Sequence, residues 1–507
     1  MKKDSFWNDD FHIAEFPALQ GDHEVDVLVV GAGITGVTTA YLLKQAGCRV
    51  AVIDQQRVGG GETSHTTAHL THVADTRLHE LAATVGENAA HALWKAGRLA
   101  MEQIRDLTTE LEIECGWSEV PGYLFAAEDR NAADEAPGLE RDALLATKFG
   151  FEAHLLESDP FFGRPAVRFP NQAKFHPTRY LAALAKAIPG EGSQVFSKTS
   201  ASGLEAEDHI LRSDKGTIRY GTLVAATHVP IQGAKGTFAA TLFQTKLASY
   251  STYVIGAEIE PRPEALFWDT DSPYHYWRFD LREDGAGLVI VGGEDHKTGQ
   301  QPDTEGCYEK LEKLLRQKIP TARPTHRWSG QVVETPDGLP FIGEIGERQF
   351  LATGFSGNGI TLGTFSAIMI REAIAGHPEP WTEIFNPHRK RPAALWRYLR
   401  ENKDFPLHFV KDHLAATMAL EDIKPTTGAI VNIDGKKCAV SSDEQGNRTI
   451  LSATCPHLGC IVQWNGAEKT WDCPCHGSRF TSSGDLIQGP AESRLETTES
   501  APAPAHH

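Results

Sequence analysis

A glycine-rich turn between a buried strand and a helix constrains the fold of this 507-residue chain more than any other feature. The apolar run at residues 25–30 leads into the hexapeptide 31–36, Gly-Ala-Gly-Ile-Thr-Gly, which opens a helical stretch followed by a second apolar run ending at Asp54. This order of strand, GxGxxG, helix, strand and acid predicts a dinucleotide-binding βαβ unit. The first glycine permits the tight turn, the second lets a pyrophosphate approach the backbone, and the third allows close helix–strand packing.

The chemistry expected of this unit follows from its peptide dipoles and its acid. The helix N-terminus offers N–H donors and partial positive charge to phosphates. Asp54 can accept hydrogen bonds from ribose hydroxyls. The alternative is a structural βαβ turn that binds no ligand.

Composition narrows the class of partner. The chain has 67 acidic and 49 basic residues, a net charge of −18, which disfavours nucleic acid or an anionic membrane as the main partner. Hydrophobic residues make up 40% and charged residues 23%, which is typical of a globular protein. The longest apolar runs are too short to span a bilayer, and no apolar segment typical of a secretory signal follows Met1. We therefore expect a cytoplasmic protein without stable membrane insertion.

Three later segments indicate which dinucleotide is bound. Residues 59–71 form a loop rich in glycine and then threonine, residues 221–228 end an apolar run in Ala-Ala-Thr-His, and residues 352–361 form a glycine-rich loop that opens a helix. Amide donors of the last loop suit an electron-rich pyrimidine carbonyl. In this order the motifs resemble the D-amino-acid-oxidase-like family of FAD oxidoreductases, which includes sarcosine, glycine and glutamylputrescine oxidases, over residues 24–392.

The resemblance implies an extended FAD, with its pyrophosphate on the 31–36 turn and its ring between the 63–71 and 354–361 loops. Some relatives attach the flavin covalently through His or Cys. His65 and His69 lie near the corresponding loop, but the local pattern matches poorly, and the other interpretation makes them polar residues that line the site. The residues expected to contact FAD are Gly31, Gly33, Ile34, Thr35, Gly36, Asp54, Gln55, Gly61, Thr63, Thr66, Thr67, Ala68, Leu70, Ala201, Ala226, Thr227, Gly357, Asn358, Gly359, Ile360 and Thr361.

A second site is indicated near the C-terminus, where four of the eight cysteines cluster. Cys455 and His457 form a Cys-x-His pair, and Cys473 and His476 form a Cys-x-x-His pair. A disulfide-rich secreted fold would spread its cysteines along the chain, so this cluster indicates a metal site. Two thiolates and two imidazoles also satisfy zinc, and a zinc ribbon is the simpler interpretation.

The two additional cysteines in this window make it resemble a Rieske [2Fe–2S] domain over residues 418–498. In Rieske centres two histidines replace two cysteines on one iron. The resemblance implies that Cys455 and Cys473 bind one iron and that the two histidines bind the other. It also implies a disulfide between Cys460 and Cys475, and a hydrogen bond from Ser478 to a bridging sulfide.

Substrate contacts are expected from the aromatic segment 274–279 and from Gln331. As a strand, this segment would point Tyr274, Tyr276 and Arg278 to one face and the alternate residues to the other. The candidate catalytic residues are His275, Arg278 and Gln331. The alternative places the aromatic rings in the core and makes Arg278 a surface charge.

These features predict an α/β Rossmann-like FAD-binding domain with an α+β substrate domain, followed by an all-β Rieske domain. The FAD-binding parts are expected at about 24–100, 150–237 and 326–392, and the substrate domain at about 101–149 and 238–325. The remaining segments are an N-terminal segment at 1–23, a linker at 393–417 and a flexible tail at 499–507.

The two predicted cofactors suggest a dehydrogenase that oxidises the C–N bond of a small amine or amino acid, acting on a CH–NH or CH–NH₂ donor. The iron–sulfur cluster would pass the electrons one at a time to an external carrier, which could be an electron-transfer protein. One alternative is the reverse flow, from a carrier through the cluster to FAD, to reduce an unknown substrate or O₂. The other is a non-catalytic, redox-responsive binding protein.

Overall fold

The computed structural model describes most of the chain. The described residues are 1–128, 130–201, 203–205, 208–213, 215–230, 244, 246–282, 284–377, 380–391 and 417–498. The predicted linker at 393–417, apart from residue 417, and the predicted tail at 499–507 lie outside them. In this part of the chain, no helix combines the length and the apolar character that crossing a membrane requires.

Nine named helices surround the sheets of the described chain. The two longest, α4 and α5, carry apolar residues at helical spacing and bury that face against the core. The helices are α1 (Phe6–Asp10), α2 (Ile34–Gln45), α3 (Leu78–Val85), α4 (Glu87–Glu110), α5 (Ala132–Lys148), α6 (Pro177–Ala187), α7 (Thr304–Lys318), α8 (Gly359–Ile374) and α9 (Thr382–Phe385).

The first sheet has a parallel centre, as the apolar run at 25–30 predicts for a strand buried on both faces. Its strands run in the order β16-β17-β10-β1-β2-β7, and β9 and β8 extend it beside β10. The GxGxxG turn joins β1 to α2 at the carboxyl edge of this sheet. The strands are β1 (Gly21–Val30), β2 (Val50–Ile53), β7 (Gln194–Phe196), β8 (Leu204–Glu205), β9 (Ile210–Ser213), β10 (Gly216–Ala225), β16 (Phe341–Gly346) and β17 (Gln349–Thr353).

The second sheet is larger and mostly antiparallel, in the order β15-β11-β14-β13-β12-β4-β6-β3, with β5 beside β6. One face packs on α7 through an aromatic core that includes Trp277 and Phe279. The strands are β3 (His69–Leu70), β4 (Ser118–Phe125), β5 (His154–Leu156), β6 (Ala166–Lys174), β11 (Ala248–Ile259), β12 (Ala265–Asp269), β13 (Tyr276–Leu281), β14 (Gly287–Lys297) and β15 (Arg323–Glu334).

The boundaries of this sheet differ from the predicted substrate domain. Strands β3, β5 and β6 and the end of β15 belong to the second sheet, although the sequence analysis assigned their residues to the FAD-binding parts. The reason is that the residue pattern of a strand indicates its conformation, whereas the sheet that it joins is set by contacts with strands distant in the sequence.

The C-terminal part is built from two small antiparallel sheets, as predicted for an all-β domain. Its core includes Cys455, Cys473, Trp471 and Phe480. The first sheet contains β18 (Gly428–Ile433), β19 (Lys436–Ser442) and β20 (Arg448–Ser452), and the second contains β21 (Gln463–Asn465), β22 (Thr470–Asp472), β23 (Arg479–Thr481) and β24 (Leu486–Gln488). The predicted fold class, two α/β and α+β parts followed by an all-β part, is therefore confirmed.

Arg278 holds three distant segments together inside the molecule. Its side chain is only 3% exposed, and its Nη1 donates to the carbonyl oxygens of Thr67 at 3.1 Å, Ala68 at 2.9 Å and Phe175 at 3.1 Å. Its Nε donates to Asp280 Oδ2 at 2.9 Å. A buried charge needs such pairing, because leaving water without it is costly. Arg278 therefore fixes the loop that precedes β3.

The Asp280 carboxyl is the counter-charge of this network. Burial alone would raise the pKa of Asp280, but Arg278 and Lys174 outweigh that effect and hold it below its ordinary value. Lys174 Nζ lies 3.1 Å from Asp280 Oδ1. The Asp280 carboxylate is consequently ionised at neutral pH, and the network acts as a structural anchor.

Replacing this anchor gives a test of the assigned role. We expect Arg278→Met to lower the free energy of unfolding by about 3–5 kcal/mol, because it leaves buried acceptors without their donor. Urea unfolding of the holoprotein measures the change. Arg282→Met is the matched control, since Arg282 pairs with Glu258 at the surface, and should cost less than about 1 kcal/mol. Equal effects of the two substitutions would contradict the anchor.

Candidate active site and metal centre

The backbone contacts within the glycine-rich turn are too close to leave room for a side chain. A Cβ on Gly31, whose φ is +104°, would lie 2.4 Å from the carbonyl oxygen of Ala226, and one on Gly36 would lie 1.8 Å from the carbonyl oxygen of Gly31. Gly36 therefore brings α2 against the turn, the role that the spacing predicts. The N–H groups at the start of α2 consequently face the space beyond β1, where phosphates bind in such folds.

Asp54 lies at the end of β2, beside this turn. Its Oδ2 accepts a hydrogen bond from Ala32 N at 2.8 Å, and its Oδ1 accepts one from Gln56 N at 2.8 Å. Burial raises the pKa of Asp54 above its ordinary value despite these two donors. Each oxygen keeps a second lone pair, so the carboxylate can fix the turn and still accept from a ribose hydroxyl.

A cavity of about 630 Å³ opens in front of the turn, within the size range of cofactor sites. It runs from Asp54, past the 61–67 loop, to the glycine-rich loop before α8. These features fit an extended FAD. The predicted contacts that line it are Gly31, Gly33, Ile34, Thr35, Asp54, Gln55, Gly61, Thr63, Thr66, Thr67, Ala201, Ala226, Thr227, Gly357, Asn358, Gly359 and Ile360.

Four predicted contacts are not among the described residues that line the cavity. Gly36 packs against Gly31 as above, and Ala68 and Leu70 are fully buried behind the wall. Thr361 Oγ1 donates to the Asn358 carbonyl oxygen at 3.1 Å, within the first turn of α8. These residues support the lining instead of forming it, because side chains alternate between the two sides of a strand or helix wall.

One end of the cavity is lined by Tyr274 and Tyr276 of the expected aromatic segment, together with two acids and a tryptophan that sequence reasoning missed. We call it the acidic end; it consists of Asp75, Trp268, Tyr274, Tyr276 and Asp295. The Tyr274 hydroxyl donates to Asp75 Oδ1 at 3.1 Å, and the backbone N–H of Gly357 donates to Asp75 Oδ2. Burial raises the pKa of Asp75 above its ordinary value.

A β-bulge directs Asp295 toward this end. Gly293 pairs with Tyr253 and His296 pairs with Ser251, so Glu294 and Asp295 together oppose the single residue Thr252. Glu294 takes the left-handed conformation with φ +59°, a geometry that bulges use to redirect a neighbouring side chain. The signal in the sequence was the pair Gly292-Gly293 inside a strand, since glycine there often marks a bulge.

Burial raises the pKa of Asp295 to about 7. Asp75 and Glu334 add repulsion, and the Thr252 hydroxyl and His275 oppose it. Asp295 Oδ1 is shielded from solvent and has no hydrogen-bond partner among the described residues. A hydrogen-bond donor or a positive charge in the cavity would therefore stabilise the ionised form of this carboxyl.

The structure separates the three candidate catalytic residues. Among the described residues, Gln331 lines the cavity but His275 and Arg278 do not. Burial alone would lower the pKa of His275, but Asp269 at 3.4 Å and Glu294 at 3.6 Å raise it to about 9. His275 is therefore an imidazolium held by two carboxylates, which is a structural position. Strand alternation correctly gave the faces of 276–279, but not the burial of Arg278 behind the cavity wall.

The metal window forms a compact buried site. Cys455 and Cys473 are each 1% exposed and do not take part in a disulfide. The rings of His457 and His476 lie 4.9 Å apart at 85°, and the shielded Nδ1 of His457 has no hydrogen-bond partner among the described residues. Burial lowers the pKa of His457 to about 4, so the ring is neutral, the form that binds a metal. This donor set fits a Cys₂His₂ iron–sulfur centre.

The surroundings of these residues are fixed by covalent and hydrogen bonds. Cys460 and Cys475 form a disulfide that joins the two loops. Ser478 is fully buried and accepts a hydrogen bond from Ala491 N at 2.9 Å. Its hydroxyl also hydrogen-bonds to the Cys455 thiol. Ser478 thus connects the loop at 489–491 with the metal window.

The metal window packs directly on the second sheet. Gln331 Nε2 donates to the Gly477 carbonyl oxygen at 2.8 Å, and Ser249 Oγ donates to the His476 carbonyl oxygen at 3.3 Å. His457 Nε2 lies 2.9 Å from Gln244 Oε1. We call these contacts the docking interface.

The C-terminal part also supplies a wall of the FAD cavity. Its lining residues are Glu468, Thr470, Arg479 and the segment 486–492. Arg479 Nε lies 3.3 Å from Asp472 Oδ1. The two predicted cofactor sites therefore share a boundary.

A two-sheet flavin-binding fold joined to a buried Cys₂His₂ centre defines an FAD-dependent oxidoreductase with a C-terminal Rieske domain. The family of FAD dependent oxidoreductases matches residues 26–373, and the Rieske [2Fe-2S] domain matches residues 413–499. The chain belongs to this FAD-dependent oxidoreductase family, and its cofactors are FAD and a Rieske-type [2Fe–2S] cluster.

Relatives share both parts or one of them. The chain is 33% identical over 500 residues to the putative Rieske 2Fe-2S iron-sulfur protein YhfW of Bacillus subtilis (strain 168), covering 96% of each chain. It is 24% identical over 406 residues to gamma-glutamylputrescine oxidoreductase of Escherichia coli (strain K12), covering 75% of this chain and 91% of that one. The crystal structure of glycine oxidase from Geobacillus kaustophilus superposes with a TM-score of 0.59 at 19% identity, over 73% of this chain and all of that chain.

Asp295 gives a pH-dependent stability test. Its folded-state pKa of about 7 lies above its ordinary value of 3.8, so the folded protein holds this proton more tightly and loses stability as pH rises from about 4 to 7. Asn carries no charge, so Asp295→Asn should raise the Tm of the holoprotein at pH 8 by about 2–4 °C. The gain should shrink toward pH 5.

The control for this experiment is Asp422→Asn, which removes an exposed carboxylate. Differential scanning calorimetry at both pH values measures the four Tm differences. A gain for Asp295→Asn that is the same at pH 5 and pH 8, or one matched by the control, would show that the Asp295 carboxyl is not strained by burial.

Proposed function

We propose that this chain is a dehydrogenase that oxidises the C–N bond of an amine or amino acid and passes the electrons singly through its Rieske cluster to an external carrier. FAD, when bound, accepts a hydride from the carbon next to nitrogen, and the cluster carries one electron at a time. The observation that carries the proposal is the docking interface, which packs the metal window on a residue of the cavity wall.

Gln331 makes this connection. It lies on β15, it is one of the residues that line the cavity, and its Nε2 bonds to the residue that follows His476. The Gln331 side chain and one peptide bond thus connect the cavity wall to His476, a predicted iron ligand. The sequence analysis named Gln331 as catalytic, and the contacts support a role in positioning the cluster loop instead.

The orientation of the Rieske domain supports electron exchange within the chain. The ring of His457 faces Gln244 of the FAD-dependent oxidoreductase module, while the same loop reaches the surface at Pro456 and Leu458, the latter 36% exposed. One side of the loop therefore faces the flavin module, and the other is accessible to a carrier.

The fusion also has a kinetic advantage. Two redox centres in one chain meet without diffusing, because linkage replaces a bimolecular encounter with a high effective concentration. The names of the similar glycine oxidase and gamma-glutamylputrescine oxidoreductase support a C–N substrate.

Anaerobic mixing with a panel of amines and amino acids tests the proposal. A substrate should bleach the flavin absorption first and then produce the electron paramagnetic resonance signal of the reduced Rieske cluster. Reduction by ferredoxin or dithionite, with none by any amine or amino acid, would contradict the proposal and favour the reverse flow.

Gly299 offers a sharper test of the docking interface. Its φ is +76°, and a Cβ there would lie 2.8 Å from Pro474 N and 2.9 Å from the Asp472 carbonyl oxygen. Gly299→Ala should therefore push the cluster loop away and slow electron transfer from reduced flavin to cluster by about tenfold or more, a barrier increase of about 1.4 kcal/mol. Stopped-flow absorption measures both steps, and flavin reduction by substrate should stay within about twofold.

The matched control is Gly285→Ala. Gly285 has a φ of +79°, and a Cβ there would meet nothing within 4 Å. Both substitutions strain the backbone alike, but only one reaches the Rieske domain. If both variants, or neither, slowed transfer to the cluster, the docking interface would not be the electron path.

A further inference from the structure

We propose that the acidic end of the cavity binds the cationic form of an amine that carries no carboxylate on the carbon next to nitrogen. The inference rests on the proposed function and narrows its substrate class from amines and amino acids to amines. It is carried by a juxtaposition of two acids and three aromatic rings on the cavity wall.

The charges lining the cavity are unbalanced. Asp75 and Asp295 interact with each other across the acidic end. Among the described lining residues, Arg479 is the only arginine or lysine, and Asp472 already pairs with it. A cationic ligand would supply the missing counter-charge, whereas a carboxylate would add repulsion.

The bulge explains why Asp295 is available to a ligand. Of the two acids that oppose Thr252, Glu294 is held by Lys310 at 3.1 Å and by His275 at 3.6 Å. Asp295 takes the opposite direction and lines the cavity, with its Oδ1 unpartnered in the described part of the chain. A hydrogen-bond donor such as an ammonium group would satisfy this oxygen.

The aromatic residues complete a site for an organic cation. The rings of Tyr274 and Tyr276 lie 5.5 Å apart, and Trp268 lines the same end. The Tyr276 ring has room because the residue paired with it on the neighbouring strand is Gly292. A Cβ at Gly292 would lie 2.2 Å from the ring. Aromatic faces attract ammonium groups, and the attraction grows when water is excluded.

The two tyrosines are neutral hydrogen-bonding groups here. Burial raises the pKa of Tyr274 and of Tyr276 well above their ordinary values. Their hydroxyls are engaged by Asp75 and Thr252. The rings are thus fixed by their polar ends, and their faces remain available for the apolar part of an amine.

The roles of the two acids differ. Asp75 already accepts hydrogen bonds from the Tyr274 hydroxyl and the Gly357 backbone N–H, so it also holds the loop before α8 in place. Asp295 makes fewer contacts with the chain and is the residue that selects the cation. It is therefore the position to change.

Three small ligands distinguish the effect of ligand charge on binding from the effect of ligand shape. Butylamine is the cation, butan-1-ol is the uncharged analogue, and norvaline is butylamine with a carboxylate on the carbon that bears the nitrogen. Dissociation constants come from the concentration dependence of the flavin absorption change, and heat of binding to the oxidised, anaerobic holoprotein gives an independent value. We expect the full-length protein to bind butylamine about tenfold or more tighter than either analogue.

Asp295→Asn tests the residue. It should weaken butylamine binding by about tenfold or more while leaving butan-1-ol within about twofold. Asp422→Asn should change neither constant. Flavin absorption shows that FAD is retained, and Tyr276→Phe, which keeps the ring, should retain most of the preference for the cation.

A pH series adds a second readout. Because Asp295 ionises near pH 7 and faces Asp75, Glu334, His275, Tyr274 and Tyr276, the preference for butylamine over butan-1-ol should grow from pH 6 to pH 8. The variant with Asn should show no such growth. A flat profile in the unsubstituted protein would overturn the role of Asp295.

The outcomes separate this inference from the proposed function. Norvaline binding as tightly as butylamine, or unchanged selectivity in Asp295→Asn, would overturn the cation site even if amino acids reduce the flavin. Selective binding of butylamine, with no flavin reduction by any amine or amino acid of the panel, would support the cation site and overturn the dehydrogenase.

Discussion

The close backbone contact between the Rieske loop at 473–477 and the second sheet is the constraint on which the rest of the structure depends. Two glycines permit it. A Cβ on Gly299 would collide with Pro474, and one on Gly477 would lie 2.4 Å from the Ser249 Cβ. Interfaces between domains of one chain are often small and mobile, but here the approach at these two glycines is too close to admit a side chain at either position.

This contact makes the two cofactor sites interdependent. Arg479 and the segment 486–492 belong to the Rieske domain and yet line the FAD cavity. Separation of the domains would therefore open the cavity as well as move the cluster away.

The parts of the site that could be predicted from the sequence are those defined by local geometry. The GxGxxG turn and the paired Cys and His residues each act within a few residues of chain, and spacing alone constrains them. The Arg278 network also had a local signal, because residues two apart in a strand share a face. Asp280 follows Arg278 at that spacing, and reading the pair together would have indicated an internal ion pair instead of a catalytic residue.

The acidic end could not be predicted in this way. Asp75 and Tyr274 come from distant parts of the chain and meet only because the second sheet brings β13 and β14 beside the loop before α8. Position along the sequence carries no information about such a meeting. The same holds for the order of strands, which is why the residues of β3, β5, β6 and the end of β15 were assigned to the FAD-binding parts.

The cost of Asp295 indicates what the acidic end is built for. An acid whose pKa rises to about 7 destabilises the folded protein at neutral pH, since the unfolded chain would ionise it freely. A hydrophobic or amide side chain at the bulge would avoid that cost. A destabilising buried group of this kind is characteristic of binding sites, because a bound ligand can restore the stability that the group costs the folded protein. A cation beside Asp295 restores that stability directly, because it lowers the pKa of the carboxyl. An uncharged ligand leaves the loss of stability in place.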